Sequence, residues 1–205
     1  FLILIPILIN SNSNAKDIND YGVISIMYHR FEENKYPSTN IKIKDFKNHI
    51  KLIEDNGFNF ISHKDFETAI NSKNLDKKIL ITIDDGFKSF YKNAWPILKE
   101  KQIPFIIFIN TETIGSSGYM DWTEIKEISK FKFVHIGNHS HTHDYLVDKS
   151  DKEIEEDLKT SIKIFKEKLN HETKFFAYPF GEYKESYKEI VKKLGFKYAF
   201  GQHSG

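Results

Sequence analysis

An α/β fold built on parallel strands is what this sequence predicts, and three observations predict it. Short apolar runs rich in β-branched and aromatic residues take turns with longer segments of helical period. The runs are too apolar to leave one face wet, which suits a sheet covered by helices on both sides. Finally, the polar clusters "TIDDG", "GNHSHTH", "YHRF" and "AYPFGEY" each follow the end of such a run, so in a parallel sheet they meet on one rim. A (β/α) barrel and a doubly wound open sheet both satisfy these observations.

Residues 1–15, "FLILIPILINSNSNA", begin with nine uncharged residues and continue with small polar ones before Lys16. That run is too short to span a bilayer as a helix and fits the apolar core of a secretory signal, which points to a secreted, periplasmic or cell-envelope protein. From residue 16 to 205 no repeat, linker or low-complexity tract interrupts the pattern, so one domain is expected. Strands are expected at 22–29, 58–62, 78–84, 104–110, 131–138, 174–180 and 196–200. Between them, Phe46, Ile50 and Ile53 recur at helical spacing ahead of Gly57, a left-handed helix stop. "KEIVKKLGF" ends the same way at Gly195. A helix from Asp151 to Asn170 opens with Ser150 and Glu153, the spacing of a capping box, and carries Ile154, Leu158, Ile162 and Phe165 on one face.

The composition narrows the chemistry. Lys+Arg 30 against Asp+Glu 29 gives a formal net charge of +1, which offers no footprint for a nucleic-acid partner. There is no cysteine, so disulfides, thiolate metal sites and cysteine nucleophiles are excluded. A metal, if present, is held by histidine and carboxylate.

Asp84 and Asp85 stand side by side at the end of "ILITID", where two like charges resist ionising together unless a cation or a division of labour separates them. The candidate partners follow a later strand: His139, His141 and His143, with His135 inside the strand. His139 and His143 are four apart, which on one turn or a tight loop brings both imidazoles to one side, as a divalent metal needs. Zinc suits imidazole and carboxylate oxygen. One aspartate with two histidines leaves positions open for water and substrate, and the neighbouring aspartate is then free to take a proton.

Taken together these residues resemble the polysaccharide deacetylases of the NodB-homology type, carbohydrate esterase family 4. "TIDDG" (82–86) and "HSHTH" (139–143) are similar to the family's first two motifs, and "AYPFG" (177–181) stands where the third ends. The resemblance implies a distorted (β/α) barrel of parallel strands with the active site at the C-terminal strand ends. It implies Asp84 as general base, Asp85, His139 and His143 as ligands of a divalent metal, most plausibly Zn2+, and Phe180 as an oxyanion donor through its backbone N–H. Tyr178, Pro179, Phe180 and Trp122 are the implied substrate-binding residues, with a core anchor as the alternative for Trp122. Two features depart from the family: Ala177 replaces the arginine that orients the base, and no late catalytic histidine motif precedes the chain end. Arg30, the sole arginine, is one substitute for the first, and a segment missing at the C-terminus is the other. For the second, "SIMYHRF" is similar to the permuted poly-N-acetylglucosamine deacetylase branch, which makes His29 the general acid and His203 its competitor. The implied activity is metal-dependent removal of N-acetyl groups from an N-acetylglucosamine polysaccharide. A non-catalytic carbohydrate-binding domain and an O-acetyl esterase are the alternatives.

Overall fold

The computed structural model describes residues 23–72 and 77–202. The leader and His203 lie outside the described residues. Seven strands form one parallel sheet, β1 (Ile24–Tyr28), β4 (Asn59–Phe60), β5 (Lys78–Asp84), β6 (Phe105–Ile109), β7 (Val134–Asn138), β8 (Phe175–Ala177) and β9 (Tyr198–Phe200), paired in the order β1-β5-β6-β7-β8-β9 with β4 also on β5. A separate parallel pair, β2 (Arg30–Phe31) and β3 (Asn40–Ile41), follows β1. Every strand pairing is parallel, so the C-terminal ends do gather on one side. All seven expected sheet strands are present, each at or inside its expected bounds.

The sheet curls. Ser25 and Met27 of β1 line the same cavity as Thr82 of β5, Phe108 of β6 and Phe200 of β9, so the two ends of the pairing path face each other across one hollow. Among the described residues no pairing joins β9 to β1, and the result is a half-barrel, a distorted form of the (β/α) barrel.

Helices cover the outside because their apolar residues recur on one face. In α1 (Ile43–Asp55), Phe46, Ile50 and Ile53 are buried. Phe46 meets the rings of Tyr28 and Phe31 edge-on at 5.1 Å in each case. Burial of each such side chain contributes roughly 1.5–3 kcal/mol. Next come α2 (His63–Ser72), α3 (Trp95–Lys101), which a single π-helical turn at Phe90–Ala94 precedes, and α4 (Trp122–Ile128). The long α5 (Asp151–Leu169) has the expected capping box between Ser150 and Glu153, and Asn170 closes it in the left-handed region with φ 48°. α6 (Glu185–Lys193) buries Tyr187, Ile190 and Val191. The central β6 is buried along its whole length, as a strand sandwiched by helices must be. No helix of the described residues is long and apolar enough to cross a membrane.

Candidate active site

Strand β5 ends at Asp84, and the chain then enters the left-handed region at Asp85, φ 71°, and Gly86, φ 71°. Past the end of β7, Ser140 and His143 also take positive φ, at 70° and 59°. Phe180, after β8, does the same, with φ 58°. Four of the eight non-glycine residues with positive φ among the described residues are thus grouped here. Each costs on the order of 1–3 kcal/mol, a cost that persists only where the surroundings enforce the geometry, and such residues cluster at functional sites.

Those turns aim side chains at one point. One ligand atom from each of Asp85, His139 and His143 lies within 4.8 Å of the other two. Asp85 Oδ1 is 3.1 Å from His143 Nε2 and 3.5 Å from His139 Nε2. His139 donates its Nδ1–H to the carbonyl oxygen of Ala177 at 2.8 Å. A carbonyl can only accept, so this bond fixes the tautomer and leaves the Nε2 lone pair facing the carboxylates. A buried carboxylate with two imidazole nitrogens is a donor set that fits a divalent cation.

The network around these residues is extensive. Asn110, buried just past β6, donates from Nδ2 to Asp85 Oδ1 at 3.5 Å, and the Thr113 hydroxyl donates to its amide oxygen. Asp157 of α5 accepts from the backbone N–H of His141 at 2.8 Å, and from the N–H and hydroxyl of Thr142 at 3.0 and 2.8 Å. The N–H of His143 donates to Ser140 Oγ at 3.1 Å. The loop carrying both histidines is therefore tied to α5 and not free to swing.

Electrostatics separates the two aspartates. Burial pushes the Asp84 carboxyl well above the usual carboxylate range, and the neighbouring Asp85 charge adds to it. Burial also pushes Asp85 up, but the hydrogen bond from His143 and the imidazoles of His139, His143 and His29 prevail and hold it at about 2. Burial lowers His139 to about 4 and lowers His29 too, against the pull of Asp85 in each case. Asp84 Oδ1 is buried without a hydrogen-bond partner, while Oδ2 lies 4.0 Å from His139 Nε2. Cations placed at the three ligand atoms favour the charged form of Asp84.

A family model described as polysaccharide deacetylase matches residues 71–199, well over half of the chain. The chain belongs to the polysaccharide deacetylase family. Among its relatives, YxkH of Bacillus subtilis is 26% identical over 174 residues, which cover 84% of this chain and 61% of that protein. A poly-β-1,6-N-acetyl-D-glucosamine N-deacetylase of Staphylococcus aureus is 28% identical over 169 residues, 76% of this chain and 58% of its own length. The chain thus spans about three-fifths of these curated relatives. Of the solved structures, IcaB from Ammonifex degensii superposes with a TM-score of 0.81 at 27% identity, over 88% of this chain and 83% of that one.

Within this deacetylase fold, a cavity of about 660 Å³ opens over the ligand group. His29, Asp84, Asp85, His139, His143, Tyr178 and Phe180 all line it. Trp122 packs, partly buried, against the main core, and neither it nor Pro179 lines this cavity. Pro179 is buried at the turn after β8. The four nearby histidines part company: His141 bonds Thr111 Oγ1 through Nδ1 at 2.8 Å, and His135 stacks on His63. Arg30 is held elsewhere, paired with Glu33 at 2.9 Å and sandwiched by the Tyr36 and Phe87 rings. The position of Ala177 contributes only its backbone carbonyl, to His139. Sequence reasoning missed Asn110, Thr113, Asp157 and the cavity wall at residues 38–41. Asn110 was within reach, since it too is a polar residue directly after an apolar strand.

Proposed function

We propose that the chain is a metal-dependent hydrolase that removes N-acetyl groups from a polymer containing N-acetylglucosamine and releases acetate. The observation that carries this reading is the convergence of Asp85, His139 and His143 beside a second buried carboxyl, Asp84, whose Oδ1 has no partner. Family membership supports the class of reaction, and the N-deacetylase among the relatives supports the substrate class.

Asp85, His139 and His143 are the residues that hold the metal, with zinc favoured by the donor types. When bound, such an ion supplies Lewis acidity, which lowers the pKa of water and polarises a carbonyl. Asp84, on the cavity wall with its Oδ1 unpartnered by the protein, takes a proton from the attacking water. Phe180 offers its backbone N–H to the oxyanion, a contribution of about 3 kcal/mol per donor in comparable sites. Water adds to the acetamide carbonyl to form the C–O bond, and the C–N bond breaks as the resulting oxyanion collapses. His29, on the cavity wall, gives a proton to the departing amine, a poor leaving group that needs one. Tyr178 and the other walls position the sugar, in a protein exported to the cell envelope or beyond.

Acetate release from a β-1,6-linked N-acetylglucosamine oligomer tests the reading, with the chain loaded with zinc and then stripped by a chelator. Release that the chelator abolishes and zinc restores is expected. If a chain that retains one zinc releases nothing from the oligomer but cleaves an O-acetyl ester, the reaction is ester hydrolysis instead. One observation favours a second reading, sugar binding without turnover: among the described residues no cation orients Asp84, because Ala177 occupies the motif's arginine position and Arg30 is engaged by Glu33. A zinc-loaded chain that binds the oligomer and cleaves neither substrate decides for it.

A further inference from the structure

We propose that Tyr145 and Phe180 form a stacking subsite for the sugar ring adjacent to the one that reacts, an inference that rests on the deacetylase reading above. A row of rings leads out of the cavity. His139 meets His143 at a centroid distance of 4.7 Å, His143 meets Phe180 at 4.8 Å, and Phe180 meets Tyr145 at 5.5 Å. Exposure rises from 2% at His139 to 55% at Phe180, and Tyr145 beyond it is 44% exposed. Isolated exposed apolar side chains need no explanation, but two adjoining rings continuous with a polar cavity do. Their planes are inclined at 59°, so neither ring covers the other's face and the pair forms an open corner.

The backbone that carries both rings is fixed before any ligand arrives. Phe180 stands in the left-handed region, followed by Gly181 at φ 74°, where a Cβ would meet Gln202 Cβ at 2.3 Å. Tyr145 lies between His143, also left-handed, and Leu146, which is buried, and the Asp148 N–H donates to the Tyr145 carbonyl at 3.2 Å. Rigid aromatic surface gives up little entropy on binding.

The occupant is a pyranose. Its C–H face suits an aromatic ring, and its hydroxyl rim needs acceptors close by. Glu182 and Asp148, both exposed, lie near enough to act electrostatically on the Tyr145 hydroxyl and are available as those acceptors. Two rings flanked by carboxylates give too small an apolar surface to hold a folded protein partner. Tyr145 sits one ring beyond Phe180, farther from the ligand group, which matches a neighbouring unit of the chain rather than the reacting one.

Calorimetric titration of the zinc-loaded chain with a pentamer of β-1,6-linked N-acetylglucosamine, beside acetate release from the same pentamer and from the monosaccharide, tests the subsite. Tyr145→Ala is expected to weaken pentamer binding about tenfold, the scale of one aromatic contact. It should also reduce the advantage in kcat/KM of pentamer over monosaccharide by a similar factor, whereas Tyr145→Phe keeps both within about twofold. Release from the pentamer with unchanged affinity in Tyr145→Ala overturns the subsite alone. Tyr145-dependent binding without any release overturns the deacetylase reading alone, and a chain that neither binds nor cleaves the pentamer overturns both. Equal losses in Tyr145→Ala and Tyr145→Phe would assign the residue a hydroxyl contact and also overturn stacking.

Discussion

Strand β7 delivers histidines to two places that differ in almost every other respect. Just beyond its C-terminal end, His139 and His143 converge on Asp85 with their Nε2 atoms facing the carboxylate. Near its start, His135 lies between His63, stacked at 4.1 Å with planes 23° apart, and His171, edge-on at 5.3 Å. Lone pairs lie in the ring plane, so stacked imidazoles cannot share a cation. Among the described residues no carboxylate forms an ion pair with the second group: His135 Nε2 bonds Thr173 Oγ1 at 3.0 Å, His171 donates from Nε2 to the Ile136 carbonyl at 2.9 Å, and His63 Nδ1 is buried without a hydrogen-bond partner. The lesson is that histidine density identifies a region, while in-plane convergence on a charge identifies a site.

The sharpest break in that comparison comes from removing ligands. His139→Ala, His143→Ala or Asp85→Ala is expected to reduce bound zinc from one per chain to none, measured by elemental analysis after gel filtration, with activity lost as well. His135→Ala should leave the metal count unchanged, and if it does not, the two clusters are coupled. Next in size, Asp84→Asn should keep the metal yet slow acetate release by about 10²- to 10⁴-fold, the range for a removed general base. Loss of the metal in that variant would exchange the roles of the two aspartates.

A smaller effect is expected from Asn110→Ala, which removes the donor to Asp85 without touching a ligand. Zinc affinity, read by competition with a chromogenic chelator, should fall about 10- to 100-fold, as for other partners of metal-bound residues. Smallest is the acid response of the other cluster. Burial, then His63, His171 and Lys64, lower His135 to about 3, while the unfolded chain takes up that proton near pH 6.5. Its folded pKa is the lower one, so its stabilising contribution is complete above about pH 6.5 and is lost as pH falls toward 3. The slope is at most about 1.4 kcal/mol per pH unit. His63, also lowered chiefly by burial, acts in the same direction. Urea unfolding at pH 7 and pH 5 should show a smaller difference for His135→Phe than for the native chain, and an equal difference would locate the acid response elsewhere.

Much of this arrangement was legible because the strands are short, apolar and parallel. A strand such as β5 announces itself by a run of Ile and Leu, and the aspartates at its end then stand out against it. The β2–β3 pair did not announce itself, since two residues per strand are too few to show a period. Asp157 was invisible for another reason: it reads as one more charge on the wet side of α5, and only the docked loop shows that it accepts bonds from His141 and Thr142. Tyr145 was hidden likewise, because an aromatic beside a histidine motif looks the same in sequence whether it is buried or open. The separation of His135 from His139 and His143 depends on which way each side chain leaves β7 and its loop, and that is set by the left-handed turns at Ser140 and His143.

The tie between Asp157 and the histidine loop also bears on how the molecule is put together in time. Asp85 comes from the end of β5 and His139 from beyond β7, so their meeting requires β6 to be paired with both strands. His143 sits on the loop that α5 holds through Asp157. On the proposed reading, an ion held by these three residues would find no ready-made binding place in the unfolded chain and would stabilise only the finished one, in proportion to the logarithm of its free concentration. Metal supply would then govern how long each copy of the chain survives proteolysis as well as whether it can work.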